Sequence, residues 1–249
     1  MSIHRLAPGP PREFDLATED GKASLSGLLT PPNDVWMRAI MVATAAGETR
    51  DSRGSSEGLS KGEDRRLLHL HRKVSDAIVL GRQTLDRERI PLPRDTPLVV
   101  LSLSGQIAAD NLVGAEESVH PLVVVTSAKG KGHAHRQLAK VPHRVVVINP
   151  ETDAVMLADI IRTEVEGGRL LIEGGEQTWR MFASHCDDLW LAVTPPPTNA
   201  RAGLPTWWPA DNLPRPDAAV YTDDARMLYY HHQLRRGAPP ENETRGVLV

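Results

Sequence analysis

The sequence lacks the features that mark several common classes of protein. Its 249 residues include a single cysteine, Cys186, which excludes an internal disulfide and a cysteine-based zinc site, so an oxidising compartment is not required. The formal net charge is only −3, and this offers no electrostatic footprint for nucleic acid or for an anionic membrane. The composition therefore predicts a globular protein without a nucleic-acid partner.

Long apolar runs are also missing. No window approaches the roughly 18 apolar residues of a membrane span. The opening stretch "MSIHRLAPGPPREFDL" has no apolar core of the kind found in export signals. We therefore expect a cytoplasmic protein that has no membrane partner.

Several catalytic and binding motifs are absent as well. No G-x-G-x-x-G follows the first predicted strand, and neither G-x-S-x-G nor H-E-x-x-H occurs, so we assign no metal and no catalytic nucleophile. The stretch "AKGKGH", residues 128–133, does not meet the spacing of a P-loop. A solvated loop is the more common role for Lys129 and Lys131, and phosphate contact is the alternative.

The chain does contain a regular alternation of apolar runs and helical patterns. Residues 1–34 are rich in Pro, Gly and acids, which predicts an N-terminal extended arm with room for one short helix, followed by one domain over residues 35–249. Short Val/Ile/Leu runs separated by helices predict an α/β fold with a largely parallel sheet and helices on both faces. The run "RMLYYHHQLRR" predicts a final, antiparallel strand.

Two helices can be located from local patterns. In residues 153–166 the apolar residues recur on one face, which predicts a helix packed on the core. The stretch "SKGE", Ser60 to Glu63, has the spacing of a capping box and predicts the start of another helix.

Small and donor residues follow three predicted strands. "LLIEGGEQTW" places Gly174 and Gly175 between a strand and a helix, "VLGRQT" does the same with Gly81, and "LSLSG" ends a third strand with Ser102 and Ser104. Bare backbone at the start of a helix favours a phosphate, although a tight turn without a ligand explains a lone glycine pair equally well. Because ligands of open α/β sheets bind beyond the carboxyl ends of strands, the three ends together suggest a dinucleotide.

The segments "VWMRAIMVATAAG", "KGEDRRLLHLHRKVSDAIVLGRQT" and "GRLLIEGGEQTWRMFASHCDDLWLAVTPP" resemble the pyrimidine reductase family of riboflavin biosynthesis, which has the dihydrofolate-reductase-like fold. The resemblance runs from about residue 35 to residue 195. It implies a three-layer α/β/α fold with a mostly parallel central sheet and a C-terminal antiparallel strand. It also implies NADPH as cofactor, a phosphorylated ribosylaminopyrimidine as small-molecule substrate, and a homodimer. The apolar segments "TWWP" and "MLYY" are candidates for the dimer interface.

The resemblance also implies roles for individual residues. The acid Glu173, which ends the apolar strand before the glycine pair, becomes a candidate catalytic or substrate-binding group, and the backbone of Ala43 a nicotinamide contact. The implied pyrophosphate contacts are Gly174, Gly175, Glu176, Gln177 and Thr178. The implied contacts on the adenosine side are Gly81, Arg82, Gln83, Thr84, Ser102 and Ser104.

The chain departs from the family in two places. Where the family reads S-L-D-G after the first strand, this chain has Thr44 to Gly47 without an acid, so Glu48 is the nearest carboxylate. Leu103 stands where many members have a basic residue, which makes a preference for the 2′-phosphate depend on Arg82. One alternative is therefore a catalytically altered nucleotide-binding paralogue. Another is a pterin or dihydrofolate-type reductase, because "GRQT" is similar to the corresponding segment of dihydrofolate reductase.

Overall fold

A computed structural model of the chain describes residues 2–7, 9–44, 46–60, 62–115, 117–194, 219–225 and 227–234. These residues form two compact units. The first contains the described residues up to 33, residues 38–74 and the described residues from 186 onward, and the second contains residues 34–37 and 75–185.

The strands of the first unit lie in the order β2-β1-β12-β13-β11-β3. β11 and β3 are parallel, whereas the other neighbours are antiparallel. The strands and helices of this unit are β1 (Ser2–Ala7), β2 (Arg12–Asp15), α1 (Glu19–Leu29), β3 (Trp36–Thr44), α2 (Asp64–Lys73), β11 (Asp188–Thr194), β12 (Ala219–Asp223) and β13 (Leu228–Gln233).

The predicted N-terminal arm is more ordered than expected, since it contains β1, β2 and the eleven-residue helix α1. Thr18 caps α1 by accepting a hydrogen bond from the amide of Gly21. The apolar side chains of this segment are buried in the core of the first unit together with Trp190 of β11 and Tyr229 of β13. Those from the segment are Ile3, Phe14, Leu16, Leu25 and Leu29. The division of the chain at residue 34 stays a prediction.

The strands of the second unit form a wholly parallel arrangement in the order β10-β4-β6-β8-β9. Their continuous Val/Ile/Leu runs, of which "AIVL" and "LVVV" are fully buried, are typical of parallel strands covered on both faces. The elements are β4 (Ala77–Gly81), α3 (Arg82–Arg87), β5 (Ile90–Pro91), β6 (Leu98–Leu101), β7 (Leu112–Val113), β8 (Leu122–Ser127), α4 (Lys131–Gln137), β9 (His143–Ile148), α5 (Ala154–Val165), β10 (Arg169–Glu173) and α6 (Glu176–Phe182). β5 and β7 pair separately.

The helix predicted over residues 153–166 is confirmed as α5. Asp153 is its N-cap and accepts a hydrogen bond from the amide of Met156 at 2.8 Å. The face formed by Leu157, Ala158 and Ile161 is buried, as the apolar period predicts.

The helix predicted to follow "SKGE" is present, but it begins later than a capping box at Ser60 would place it and is capped by a different group. α2 begins at Asp64, and its N-cap Glu63 makes no side-chain capping bond. Instead, Oδ2 of Asp223, on β12, accepts the amide of Glu63 at 3.0 Å, and the Ser60 hydroxyl donates to Oδ2 of Asp64. Burial, with Asp223 nearby, raises the pKa of Asp64 to about 6.

A buried ion pair joins the elements of the first unit. The Arg38 guanidinium, in β3, contacts the Asp188 carboxylate, in β11, at 2.7 Å, with side chains only 4% and 1% exposed. Nη1 of Arg38 also donates to the carbonyl of Leu29 at the end of α1, at 2.5 Å, and to Nδ1 of His71 in α2, at 3.2 Å. His231 of β13 donates from Nε2 to Asp188 at 2.8 Å.

The two buried groups of this network have strongly shifted pKa values. Burial alone would raise the pKa of Asp188, but the charge of Arg38 and the hydrogen bond from His231 outweigh it and hold that pKa well below its usual range. Burial and the charge of Arg38 lower the pKa of His71 well below 6.5. His71 is therefore neutral in the folded protein, and its Nδ1 can accept from Arg38, which has no acceptor atom.

The predicted α/β fold class is confirmed. The final strand β13 runs antiparallel to β11, as expected, and the antiparallel part is enlarged by β12, β1 and β2. In the described part of the chain, no helix combines the length and the apolar character needed to span a membrane.

We predict that His71 makes the folded state sensitive to mild acid. In the unfolded chain a histidine titrates near 6.5, so below that pH the unfolded state binds a proton that the folded state does not. The stability contributed by neutral His71 is complete above this pH and is lost as the pH falls. Urea unfolding of the wild type should show this loss as about 1 kcal/mol between about pH 6.5 and pH 5.5, and His71→Gln should remove it.

The effect of His71 must be read from the difference in unfolding free energy between the wild type and His71→Gln. The wild-type profile alone also contains Asp64, which gains a proton in the folded state near pH 6 and so stabilises the fold as the pH falls. His69→Gln, at an exposed position of the same helix, is the matched control and should flatten the profile less. Equal pH profiles for the wild type and His71→Gln would show that His71 is not the responsible group.

Candidate functional site

Two neighbouring parallel strands end in the same way. β10 pairs with β4 in the second unit, with Ile172 opposite Val79, so their carboxyl ends lie side by side. Each strand runs directly into a helix whose N-cap is a glycine, Gly81 for α3 and Gly175 for α6. Since glycine has no side chain with which to cap, the first turn of each helix is open to a ligand.

Thr178 explains why Gly81 must be bare. A Cβ added to Gly81 would lie 2.5 Å from Oγ1 of Thr178, and a Cβ added to Gly174 would lie 3.2 Å from the same atom. Neither Gly81 (φ −84°) nor Gly175 (φ −72°) has the positive φ that itself favours glycine. The requirement therefore comes from close approach, with the buried Thr178 lying between the two strand ends.

Arg82, the first residue of α3, is held by two partners. Its Nη1 donates to Oδ2 of Asp86 at 2.7 Å and contacts Oε1 of Gln106 at 3.4 Å. The Arg82 side chain is 36% exposed, so solvent reaches the group, but the carboxylate of Asp86 offsets much of its charge. Gln83 and Thr84 follow on the same helix and are half-buried.

The two serines at the third predicted strand end, after β6, have different surroundings. Ser102 is 5% exposed and its hydroxyl donates to the carbonyl of Gln106 at 2.8 Å, so it stabilises the turn. Ser104 is exposed, and its hydroxyl oxygen accepts the amide of Gln106 at 3.3 Å. The serine hydroxyl available to a ligand at this end is that of Ser104.

The acids of the β10 turn face different surroundings. Glu173, the last residue of β10, is 8% exposed. Glu176 instead pairs along its helix with Arg180, at 2.6 Å. This pairing reduces the negative charge that Glu176 would present to an anion at the helix start. The next residue, Gln177, is exposed.

The remaining two candidates belong to the first unit. Ala43 is fully buried in β3, opposite Val193 of β11. Glu48 is exposed, and its backbone closes the turn after β3 by donating to Oγ1 of Thr44 at 3.0 Å and accepting from the Thr44 amide at 2.8 Å. Gly47, at φ 90°, makes this turn possible. Glu173 and Glu48 therefore differ sharply in burial.

Sequence reasoning missed the contribution of Gln106, which contacts Arg82 and both serines of the third strand end. It also missed Gly105, whose φ of 67° is available almost only to glycine. The "SG" dipeptide at residues 104–105 was the available signal for this turn. Across the residues that the structure describes, no group of three or more His, Cys, Asp or Glu side chains is arranged to hold a metal ion.

This arrangement defines a class of protein. The second unit is an open parallel α/β sheet with bare glycine turns and donor side chains beyond the carboxyl ends of adjacent strands, which is where such folds bind nucleotides and related ligands.

Comparison with known proteins narrows the class to a family. The sequence profile of the RibD C-terminal domain matches residues 35–189. The chain therefore belongs to the RibD C-terminal domain family. A search of curated proteins finds no significant match.

Solved structures show the same fold at low identity. A pyrimidine reductase-like protein of Corynebacterium diphtheriae is 21% identical, with a TM-score of 0.62, over 84% of this chain and 95% of that one. The riboflavin biosynthesis reductase Rib7 of Saccharomyces cerevisiae is 16% identical, with a TM-score of 0.61, over 87% of this chain and 100% of that one. The dihydrofolate-reductase-like fold inferred from the sequence is thereby confirmed.

A third neighbour is a two-function protein. The diaminohydroxyphosphoribosylaminopyrimidine deaminase/5-amino-6-(5-phosphoribosylamino)uracil reductase of Thermotoga maritima is 16% identical, with a TM-score of 0.56, over 80% of this chain and 56% of that one. This chain thus corresponds to about half of that protein.

The contact between Gly81 and Thr178 can be tested by rescue. Gly81→Ala should destabilise the protein by about 1–3 kcal/mol, the usual cost of overpacking, because its Cβ would overlap Oγ1 of Thr178. Thr178→Ala removes that oxygen, and the next nearest atom is Thr178 Cβ at 3.9 Å. The double variant should therefore be more stable than Gly81→Ala alone, as measured by urea unfolding.

Gly27→Ala is the control, since a Cβ at this α1 position meets nothing within 4 Å. It should be neutral or slightly stabilising, as expected for glycine in a helix. Additive effects of Gly81→Ala and Thr178→Ala would show that the two residues do not interact as described.

Proposed function

We propose that the protein is a reductase that uses a nicotinamide dinucleotide, NADPH, to reduce the ribosylamino group of a phosphorylated pyrimidine to a ribitylamino group, the reductase step of riboflavin biosynthesis. The observation that carries this proposal is that two adjacent parallel strands, β4 and β10, each lead into a helix whose N-cap has no side chain, inside the segment that the RibD C-terminal domain profile matches. The names of the C. diphtheriae, yeast and T. maritima neighbours support the same reaction class.

The residues of the second unit fit a dinucleotide. A pyrophosphate would contact the bare backbone of Gly174 and Gly175 and the first-turn amides of α6, where the helix dipole is positive. The adenosine side would contact Gly81 to Thr84 and Ser104. When bound, the cofactor would supply the hydride, and the protein would contribute binding, orientation and exclusion of water.

The substrate side is proposed to depend on a carboxylate. Reduction of an imine-like group adds a hydride at its carbon and a proton at its nitrogen, and a nearby carboxyl group can hydrogen-bond that nitrogen and stabilise its protonated form. Glu173 is favoured over Glu48 because it is 8% exposed, and burial strengthens electrostatic interactions. The alternative role for Glu173 is structural, in which its carboxylate holds the Gly174–Gly175 turn.

A second candidate function follows from the loop after β3. The family's S-L-D-G aspartate is replaced by Ala46, which favours a paralogue that binds the nucleotide without reducing a pyrimidine. Incubating the pure protein with NADPH and a panel of ribosylaminopyrimidine phosphates and pterins separates the possibilities. Consumption with a pyrimidine supports the proposal, consumption with a pterin supports a dihydrofolate-type reductase, and binding without consumption supports the paralogue.

Glu173→Gln should separate the catalytic role from the structural one. We expect it to cut turnover by roughly a hundredfold or more, the scale of a positioned acid or base, while leaving the Kd for NADPH nearly intact. Glu48→Gln, at an exposed position, is the matched control and should cost less. Joint loss of folding and cofactor binding would favour the structural role, and unchanged turnover would exclude the catalytic one.

A homodimer is proposed from the family resemblance, and a cytoplasmic location is proposed from the sequence composition. The "MLYY" residues that suggested an interface are used internally, since Met227 and Tyr229 are buried in the core of the first unit. The "TWWP" residues lie outside the described part of the chain. We expect light scattering to give a dimer mass, and a monomer mass that does not change with concentration would contradict this.

A further inference from the structure

Recognition of an additional phosphate on the dinucleotide requires a positively charged side chain near that phosphate. Arg82 is a poor one, because its Nη1 lies 2.7 Å from the carboxylate of Asp86. A second anion beside this pair would be attracted by the guanidinium and repelled by the carboxylate at nearly the same distance. Leu103, within the turn of the serine residues, adds no charge.

The turn that contains Leu103 is hydrogen-bonded to the end of the next strand, β8. The Leu103 carbonyl accepts three hydrogen bonds from the last two residues of β8, from the Ser127 amide at 3.2 Å, the Ser127 hydroxyl at 2.7 Å and the Thr126 hydroxyl at 3.1 Å. The ring nitrogen Nδ1 of His133 lies 3.3 Å from the carbonyl oxygen of Ser104.

Glycines bring the two backbones into direct contact. A Cβ on Gly130 would lie 2.6 Å from the Leu103 carbonyl oxygen and 2.7 Å from the Gly105 nitrogen, and a Cβ on Gly105 would overlap the Gly130 carbonyl. Side chains at either position would force the loops apart. The residues on both sides of Gly130 are therefore held against the turn that presents Ser104.

Those residues are Lys129 and Lys131. Both are exposed, and neither forms an ion pair with any residue that the structure describes. Residues 118–150 contain no Asp or Glu but five Lys or Arg, in a chain whose net charge is −3. Among the described residues, Lys129 and Lys131 therefore have no acidic partner, in contrast to Arg82.

We propose that Lys129 and Lys131, rather than Arg82, supply the positive charge that distinguishes a 2′-phosphorylated nicotinamide dinucleotide from its unphosphorylated form. The proposal rests on the proposed function, since it assigns a specificity to the same site. The phosphate would lie beside the exposed Ser104, within reach of two ammonium groups from the adjoining loop. A lysine ammonium recognises phosphate as a point charge and needs no fixed fork of donors.

The test is a calorimetric titration at low ionic strength, in which NADP⁺ and NAD⁺ are each added to the protein. The proteins compared are the wild type, the double variant Lys129→Gln/Lys131→Gln, and the single variants Arg82→Gln and Lys140→Gln. Glutamine keeps most of the side-chain length and removes the charge. Lys140 is an exposed lysine of the same acid-free segment and is the matched control.

We expect the wild type to bind NADP⁺ about tenfold or more tightly than NAD⁺, the scale of a charge-assisted hydrogen bond. The double lysine variant should lose this preference through weaker NADP⁺ binding, with NAD⁺ binding changed less than about twofold. Arg82→Gln should affect both dinucleotides alike, and Lys140→Gln neither. The preference should also shrink as salt is added, because exposed charges are screened.

The outcomes separate the inference from the proposed function. A preference for NADP⁺ that survives in the double lysine variant overturns the inference, and its loss in Arg82→Gln returns the role to Arg82. A wild type that binds both dinucleotides equally also overturns the inference but leaves the proposed function standing. A wild type that binds neither dinucleotide overturns the proposed function, and the inference with it.

Discussion

The ion pair between Arg38 and Asp188 is the interaction on which the first unit depends. It connects β3 to β11, and through Leu29, His71 and His231 it reaches two helices and a further strand. Removing one partner of such a pair typically costs about 3–5 kcal/mol, because the other charge stays buried. That cost is a large part of a total stability of about 5–15 kcal/mol. Burial, together with the charge of Arg38, lowers the pKa of His71 and keeps it neutral, so a substitution at Arg38 would change both the packing and the titration of His71.

The regular parts of the structure could be predicted from local sequence. The β10 strand, the glycine pair after it and the apolar face of α5 were all visible, because each depends on residues close together in the chain. The parallel direction of the strands in the second unit also followed, since buried runs such as "AIVL" separated by helices are typical of a parallel sheet. What local patterns could not supply was the reason for a glycine at position 81, which is the side chain of Thr178 rather than a positive φ.

The predictions that failed or fell short involve distant partners. Asp223 caps α2 from 160 residues away, so the "SKGE" pattern alone suggested the wrong capping group. The N-terminal segment looked like an arm because its partner strand, β12, is far along the chain. The sequence also could not show which of the two serines after β6 is available to a ligand. Ser102 stabilises its own turn, whereas Ser104 is exposed. Spacing reports periodic structure well but contains little information about which polar group meets which.

The pairing of β1 with β12 has a consequence for how the chain is made. Ile3 lies opposite Asp223, so β1 can pair with the adjacent β2 early but gains its second neighbour only after β12 has been synthesised. The second unit is drawn mainly from the continuous residues 75–185 and can complete its sheet earlier. Contacts between residues so distant in sequence form slowly, and until β12 is available β1 has one open strand edge. The newly made chain is therefore most exposed to aggregation during the interval before β12 emerges.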